Sequence, residues 1–135
     1  MRFIPLLVVP LLLYNAFAFF IFESYEADFR EAVMFSFALP SGATFTLSVS
    51  ATVILLALVL LAFEIIKAAR VGATSIVDHL LATVLFIIYL LEFLLVPEAA
   101  TSTFVVLMAI ALIDLACGFA VSLKSATRDV TFTDE

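Results

Sequence analysis

Four apolar runs, each near the length of about 20 residues needed to cross a bilayer, constrain this 135-residue chain more than any other feature. They cover residues 3–22, 47–66, 76–96 and 103–123. A helix rises about 1.5 Å per residue and the hydrocarbon core is about 30 Å thick, so each run can span it. The chain is 66% hydrophobic and its mean hydropathy is +1.31. A soluble domain this small has too little interior to hide that much apolar surface. The expected fold is an all-α membrane protein, a four-transmembrane-helix bundle in a single domain. A loop over 23–46, a loop over 67–75, a turn over 97–102 and a short mobile tail over 124–135 would complete it.

The basic residues set a direction. Arg2 precedes the first run, Lys67 and Arg70 follow the second, and Lys124 and Arg128 follow the fourth. Only Arg30 lies on the other side, among Glu23, Glu26, Asp28, Glu31 and Glu98. The positive-inside rule makes the basic side cytoplasmic, with both termini inside. One alternative concerns the first run. The string "AFA" at 16–18 fits a signal-peptide cleavage pattern, whereas the apolar residues continuing to position 22 favour a retained anchor.

A net charge of −6 argues against nucleic acid and leaves the lipid bilayer as the evident partner. The single cysteine, Cys117, excludes an intrachain disulfide and a multi-cysteine metal site; beside Ala116 and Gly118 it suits packing better than nucleophilic chemistry. Tryptophan is absent, so an interfacial aromatic belt has to come from Tyr14, Tyr25, Tyr89 and some of the fifteen Phe.

The outer loop has a rhythm of its own. Residues 44–50 read T-F-T-L-S-V-S, and Phe35-Ser36-Phe37 share that alternation. A period of two is a strand signal. Between the two halves lies Pro40-Ser41-Gly42, where Pro presets φ and Gly accepts a positive one. A short β-hairpin centred on "LPSG" is expected between the first two helices, preceded by a short polar helix or turn over 23–32. Isolated hairpins are marginal, so it should lean on the bundle, the membrane or another chain. Its open edge makes it a candidate interaction element.

Polar residues within the runs need individual explanations. Glu92 stands five residues before Pro97, about 7–8 Å below the outer boundary. It is either an ion or proton site, or an interhelical contact or a side chain snorkelling outward, with Asn15 its expected partner and Tyr89 one turn below. Asp114 is about 15 Å from either end of its run, where a charge is most costly. It begins the stripe Asp114, Gly118, Ser122, whose spacing favours close helix approach and turns Asp114 toward the bundle, level with about Thr83. It reads equally as a buried donor or as a transport or protonation site. Glu64 and Lys67 form an i, i+3 pair at the cytoplasmic boundary, with Arg70 one turn on. Ser75 and Asp78 match a capping box opening the third helix. His79 is the only histidine, too few for paired haem ligands or a zinc cluster, and reads as a boundary residue bonded to Glu64 or Asp114, or as a pH sensor. No cofactor or metal is implied. Pro5 falls in the first turns of the first run, and Pro10 predicts a kink.

The strings E64-IIKAAR, D78-H79, E92-FLL, T101-STF and L112-I-D114…G118-F119, with "LPSGA", resemble a group of small four-span alphaproteobacterial inner-membrane proteins over roughly residues 40–120. The resemblance implies a bacterial inner membrane, so the outer side that carries the hairpin would be periplasmic, and it transfers no catalytic role. The chain is unlike the small multidrug transporters, whose key acid is in the first span, where this chain has only Asn15. It is also unlike the quinone-linked disulfide enzymes, which need cysteine pairs. With no nucleophile–base or metal constellation, the expectation is a non-enzymatic protein acting by association, as an accessory or scaffold subunit or a homo-oligomer. The alternative is an oligomeric ion- or proton-coupled transporter using Asp114 and Glu92.

Overall fold

The computed structural model describes residues 4–21, 32–71 and 76–133. The element order is α1 (Val8–Ala16), a π-helical turn (Phe17–Ile21), β1 (Val33–Ala38), β2 (Thr44–Ser48), α2 (Val49–Val71), α3 (Ile76–Leu95), a 3-10 turn (Pro97–Ala99) and α4 (Ser102–Thr133). Three helical stretches are long and apolar enough to cross a membrane: Val49–Ala69, Ile76–Leu95 and Ser102–Val121, with mean hydropathies of 2.7, 2.0 and 2.6.

The first run departs from its expected length. Hydropathy counts residues from position 3, but the helix begins only at Val8. The chain before it forms a tight turn, with Val8 N–H donating to Pro5 O and Val9 N–H to Leu6 O. Pro10 therefore stands in the first helical turn, where a missing N–H leaves no ladder bond broken, and the expected mid-span kink has no place to form. The irregularity lies at the other end, in the wider turn over Phe17–Ile21. From Val8 to Ile21 the helical rise is about 20 Å, short of the hydrocarbon thickness. Four spanning helices were expected; among the described residues three helices are long and apolar enough to cross a membrane, and this one is a shorter apolar helix.

The hairpin forms where the alternation placed it. β1 and β2 are antiparallel, pairing Phe35 with Leu47, Ser36 with Thr46, Phe37 with Phe45 and Ala38 with Thr44, with an irregularity between Val33 and Phe35. Gly42 N–H closes the turn on Leu39 O, and Gly42 has φ 88°, a conformation a side chain would strain. The expected short helix over 23–32 lies almost wholly outside the described residues.

Two boundaries moved. The alternation runs through Ser50, but β2 stops at Ser48 because Ser48 caps α2: its hydroxyl accepts the Ala51 N–H at 3.2 Å. Val49 and Ser50 thus enter the helix, and α2 continues through Lys67 to Val71, well beyond residue 66. The tail expected to be mobile extends α4 to Thr133, since neither Gly nor Pro follows Gly118 to stop it. That helix is about 48 Å long and outruns a bilayer core.

Packing centres on α4, which contacts both α2 and α3, while α1 lies on α2 and α4. The buried row of α2 is Val49, Val53, Ala57 and Leu61, one residue per turn. It faces Phe104, Leu107, Ile110 and Ala111 of α4 and Leu7, Leu11 and Tyr14 of the first segment. Phe104 is wholly buried, with the rings of Tyr14, Tyr89 and Phe93 at 5.0, 5.5 and 6.5 Å. Two of the tyrosines expected in an interfacial belt are therefore core residues; the third, Tyr25, lies outside the described chain.

Candidate functional site

The polar side chains gather at two levels. The first is the end where α2 finishes and α3 begins, the pocket end. Glu64 follows the buried row of α2 by three residues, so it faces inward and is only 8% exposed. Its Oε1 accepts the Leu6 backbone N–H at 2.7 Å. Its Oε2 lies 3.2 Å from Lys67 Nζ, the expected i, i+3 pair. Leu6 N–H precedes the first turn of α1 and has no intrahelical acceptor, so Glu64 acts as a cap supplied from another helix, a favourable place for a carboxylate.

Beside it lies a cleft of about 50 Å³, with room for a few waters, lined by Pro5, Glu64, Lys67, Ala68, Asp78, His79, Ala82, Asp114, Leu115 and Gly118. Asp78 sits in the first turn of α3, where its charge suits the helix dipole. Asp114 faces inward as its spacing required, opposite His79 and Ala82, within a turn of the expected level of Thr83. Gly118 faces the His79 ring. A Cβ there would lie 3.4 Å from His79 Cε1 and 3.6 Å from Nδ1, ordinary contact distances, so the imidazole packs against α4 with room for a methyl group. Thr83 Oγ1 donates to His79 O at 2.7 Å. The side chains of Arg70 and Ser122, and Ser75 of the expected capping box, lie outside the described structure. Among the described residues no group of His, Cys, Asp and Glu converges as metal ligands would. Three carboxyl groups, an imidazole and an amine around a small cleft offer hydrogen-bond donors and acceptors to a small polar guest such as water.

The second level is the hairpin end. Glu92 meets the Asn15 side chain, the partner its depth suggested. Asn15 Nδ2 also donates to Leu11 O within its own helix. Glu92 Oε1 is buried without a hydrogen-bond partner among the described residues. The tyrosines carry contacts that the sequence did not disclose. Tyr89 OH donates to Leu7 O at 2.9 Å. Tyr14 OH donates to Glu98 O at 2.8 Å and lies 2.7 Å from Thr101 Oγ1, which itself accepts the Phe104 N–H at the start of α4. The T-S-T-F string carries that cap, since Thr precedes Phe104 by three residues.

Asp114, Glu92 and Asn15 do not share a cavity. Glu92 is ten residues from Ala82 along α3, about 15 Å from the cleft. Between them lie Leu85, Tyr89, Phe104, Leu107, Ile110 and Ala111, all buried. No protein family matches the chain, and no curated protein or solved structure shows significant similarity to it; the family resemblance therefore rests on the quoted residues alone.

Proposed function

We propose that the chain is a small integral protein of a bacterial inner membrane that works by association, as a homo-oligomer or as a subunit of a larger membrane complex. Three helices cross the bilayer, and α1, with the residues around it, forms a fourth, shorter apolar segment. The pocket end faces the cytoplasm, because Lys67 and Arg70 stand there and α4 carries Lys124 and Arg128 beyond its apolar stretch. The observation that carries the functional reading is the use made of the intramembrane polar groups. Glu64, Tyr89 and Tyr14 each hold the first segment, to α2, to α3 and to the α3–α4 turn. These groups act as fasteners, and a buried apolar layer separates the cleft from Glu92. A non-conducting role fits that arrangement.

The test is the mass of the protein extracted from native membranes in lipid nanodiscs. A multiple of 14.7 kDa, or a stoichiometric second protein, is expected. A protomer alone, with no copurifying chain, overturns the reading. The cleft around Asp114 favours one alternative, an ion- or proton-coupled transporter whose path is completed between subunits. Protein-dependent flux in proteoliposomes that disappears in Asp114→Asn would establish it.

A further inference from the structure

The two faces of the hairpin differ in character. Strand register places Phe35, Phe37, Phe45 and Leu47 on one face and Ser36, Ala38, Thr44 and Thr46 on the other. The rings form one surface, Phe37 lying 6.0 Å from Phe35 and 5.3 Å from Phe45. All three are 40–50% exposed, so the described chain leaves this aromatic face uncovered. Residues 32–50 contain no charged side chain. Strand edges that face water are ordinarily guarded by charge, and this hairpin has none.

Its position is fixed as firmly as its pattern. Ser48 both ends β2 and caps α2, so no linker separates hairpin from span. Val49 N–H donates to Ala32 O at 2.8 Å, which ties the start of β1 to the same helix end. The hairpin is therefore held at the level where α2 leaves the bilayer, and farther along α2 Leu55, Leu58 and Val59 are exposed as well. This end of the molecule also needs an aromatic girdle. The chain has no Trp, and Tyr14 and Tyr89 are core residues.

We propose that the hairpin is an interfacial anchor whose aromatic face is covered by lipid. Phe35, Phe37 and Phe45 enter the boundary between headgroups and acyl chains, and Ser36, Thr44 and Thr46 face water. The strand edges limit the depth. A two-stranded sheet leaves the outer N–H and C=O groups of both strands unpaired, and these cannot enter hydrocarbon. The hairpin lies flat and shallow, its edges among headgroups and water. Because it is uncharged, its insertion does not depend on anionic lipid. The proposal rests on α2 being a membrane span and is independent of whether the chain associates.

Absence of tryptophan gives a direct test, since single Trp variants each report one site. Leu58→Trp, Phe37→Trp and Ser36→Trp are reconstituted in phosphatidylcholine vesicles, with lipids brominated near the glycerol or near the chain end, and with iodide on both sides. Leu58→Trp should lose most of its emission to chain-end bromines. Phe37→Trp should lose most of its emission to bromines near the glycerol and be blue-shifted, while Ser36→Trp is quenched by iodide. Phe45→Trp repeats the reading should Phe37→Trp disturb the strand. Iodide quenching of Phe37→Trp and Phe45→Trp equal to that of Ser36→Trp puts the hairpin in water and overturns the proposal. Shielding from both iodide and bromine puts protein on the face and overturns it too. Failure of Leu58→Trp to respond to bromolipid removes the spanning reading, and the anchor with it.

Discussion

Glu64 and Glu92 are the same residue on different long apolar helices, both beside the short first segment, yet they are held in unlike ways. Glu64 is nearly enclosed, and its oxygens meet a backbone N–H that lacks an intrahelical acceptor and an ammonium group. Glu92 has the Asn15 side chain and one buried oxygen without a partner. An acid in a long apolar helix is thus no single kind of object. Where it meets an orphan donor at a helix start it replaces water and holds two segments together. Where it meets only a neutral amide, part of the desolvation of the carboxylate goes uncompensated.

The layer that keeps the two acids apart centres on Phe104, so its removal should have the largest effect. Phe104→Ala should cost about 3–5 kcal/mol by loss of burial and creation of a cavity, measured by denaturant titration in mixed micelles followed by circular dichroism. A cost well below that would mean the layer is loosely packed and the two ends are not insulated. Next comes Glu64→Ala, which strands the Leu6 N–H and should cost about 1.5–3 kcal/mol in the same titration. Glu64→Gln keeps an acceptor for Leu6 and loses only the partly exposed pair with Lys67, so it should cost less than about 1 kcal/mol. Equal losses for Ala and Gln would place the value of Glu64 in its charge and contradict the capping role.

Glu92→Gln should move the other way. Removing a charge that is incompletely partnered should leave stability unchanged or raise it by up to about 1 kcal/mol. A loss as large as that of Glu64→Ala would show that the two acids are equivalent after all. The smallest effect is at Gly118. The added methyl of Gly118→Ala meets His79 at ordinary contact distance, and the gain in helix propensity is at most about 1 kcal/mol, so the variant should be neutral or slightly stabilised. Strong destabilisation would instead support the tight helix approach first read from the stripe.

The sequence disclosed features whose cause is local. The hairpin follows from period-two alternation and a Pro-Ser-Gly turn, and three helices long and apolar enough to cross a membrane follow from hydropathy. The Glu64–Lys67 pair follows from helical spacing, and Asp114 lines the cleft together with Gly118, one turn on. Features with a distant cause were not legible. The Leu6–Glu64 bond joins residues 58 apart and the Tyr89–Leu7 bond residues 82 apart, and no periodicity announces them. The first segment misled because hydropathy counts apolar residues, whereas a helix needs backbone donors, and Pro5 and Pro10 delay its start. Ser48 misled differently, because a serine in an alternating run reads as a strand residue until its hydroxyl is seen capping the next helix. Depth alone overstated the isolation of Asp114, which has Glu64, Asp78, Lys67 and His79 around its cleft.

Whether the acids of the apolar helices fasten helices or carry ions is tested most directly by flux. The purified protein is reconstituted in vesicles, and proton, sodium and potassium gradients are imposed in turn, for the native chain and for Asp114→Asn. Leakage no greater than in protein-free vesicles is expected for both proteins. A protein-dependent flux that Asp114→Asn abolishes would contradict the structural role of these acids and establish the cleft as part of a transport path.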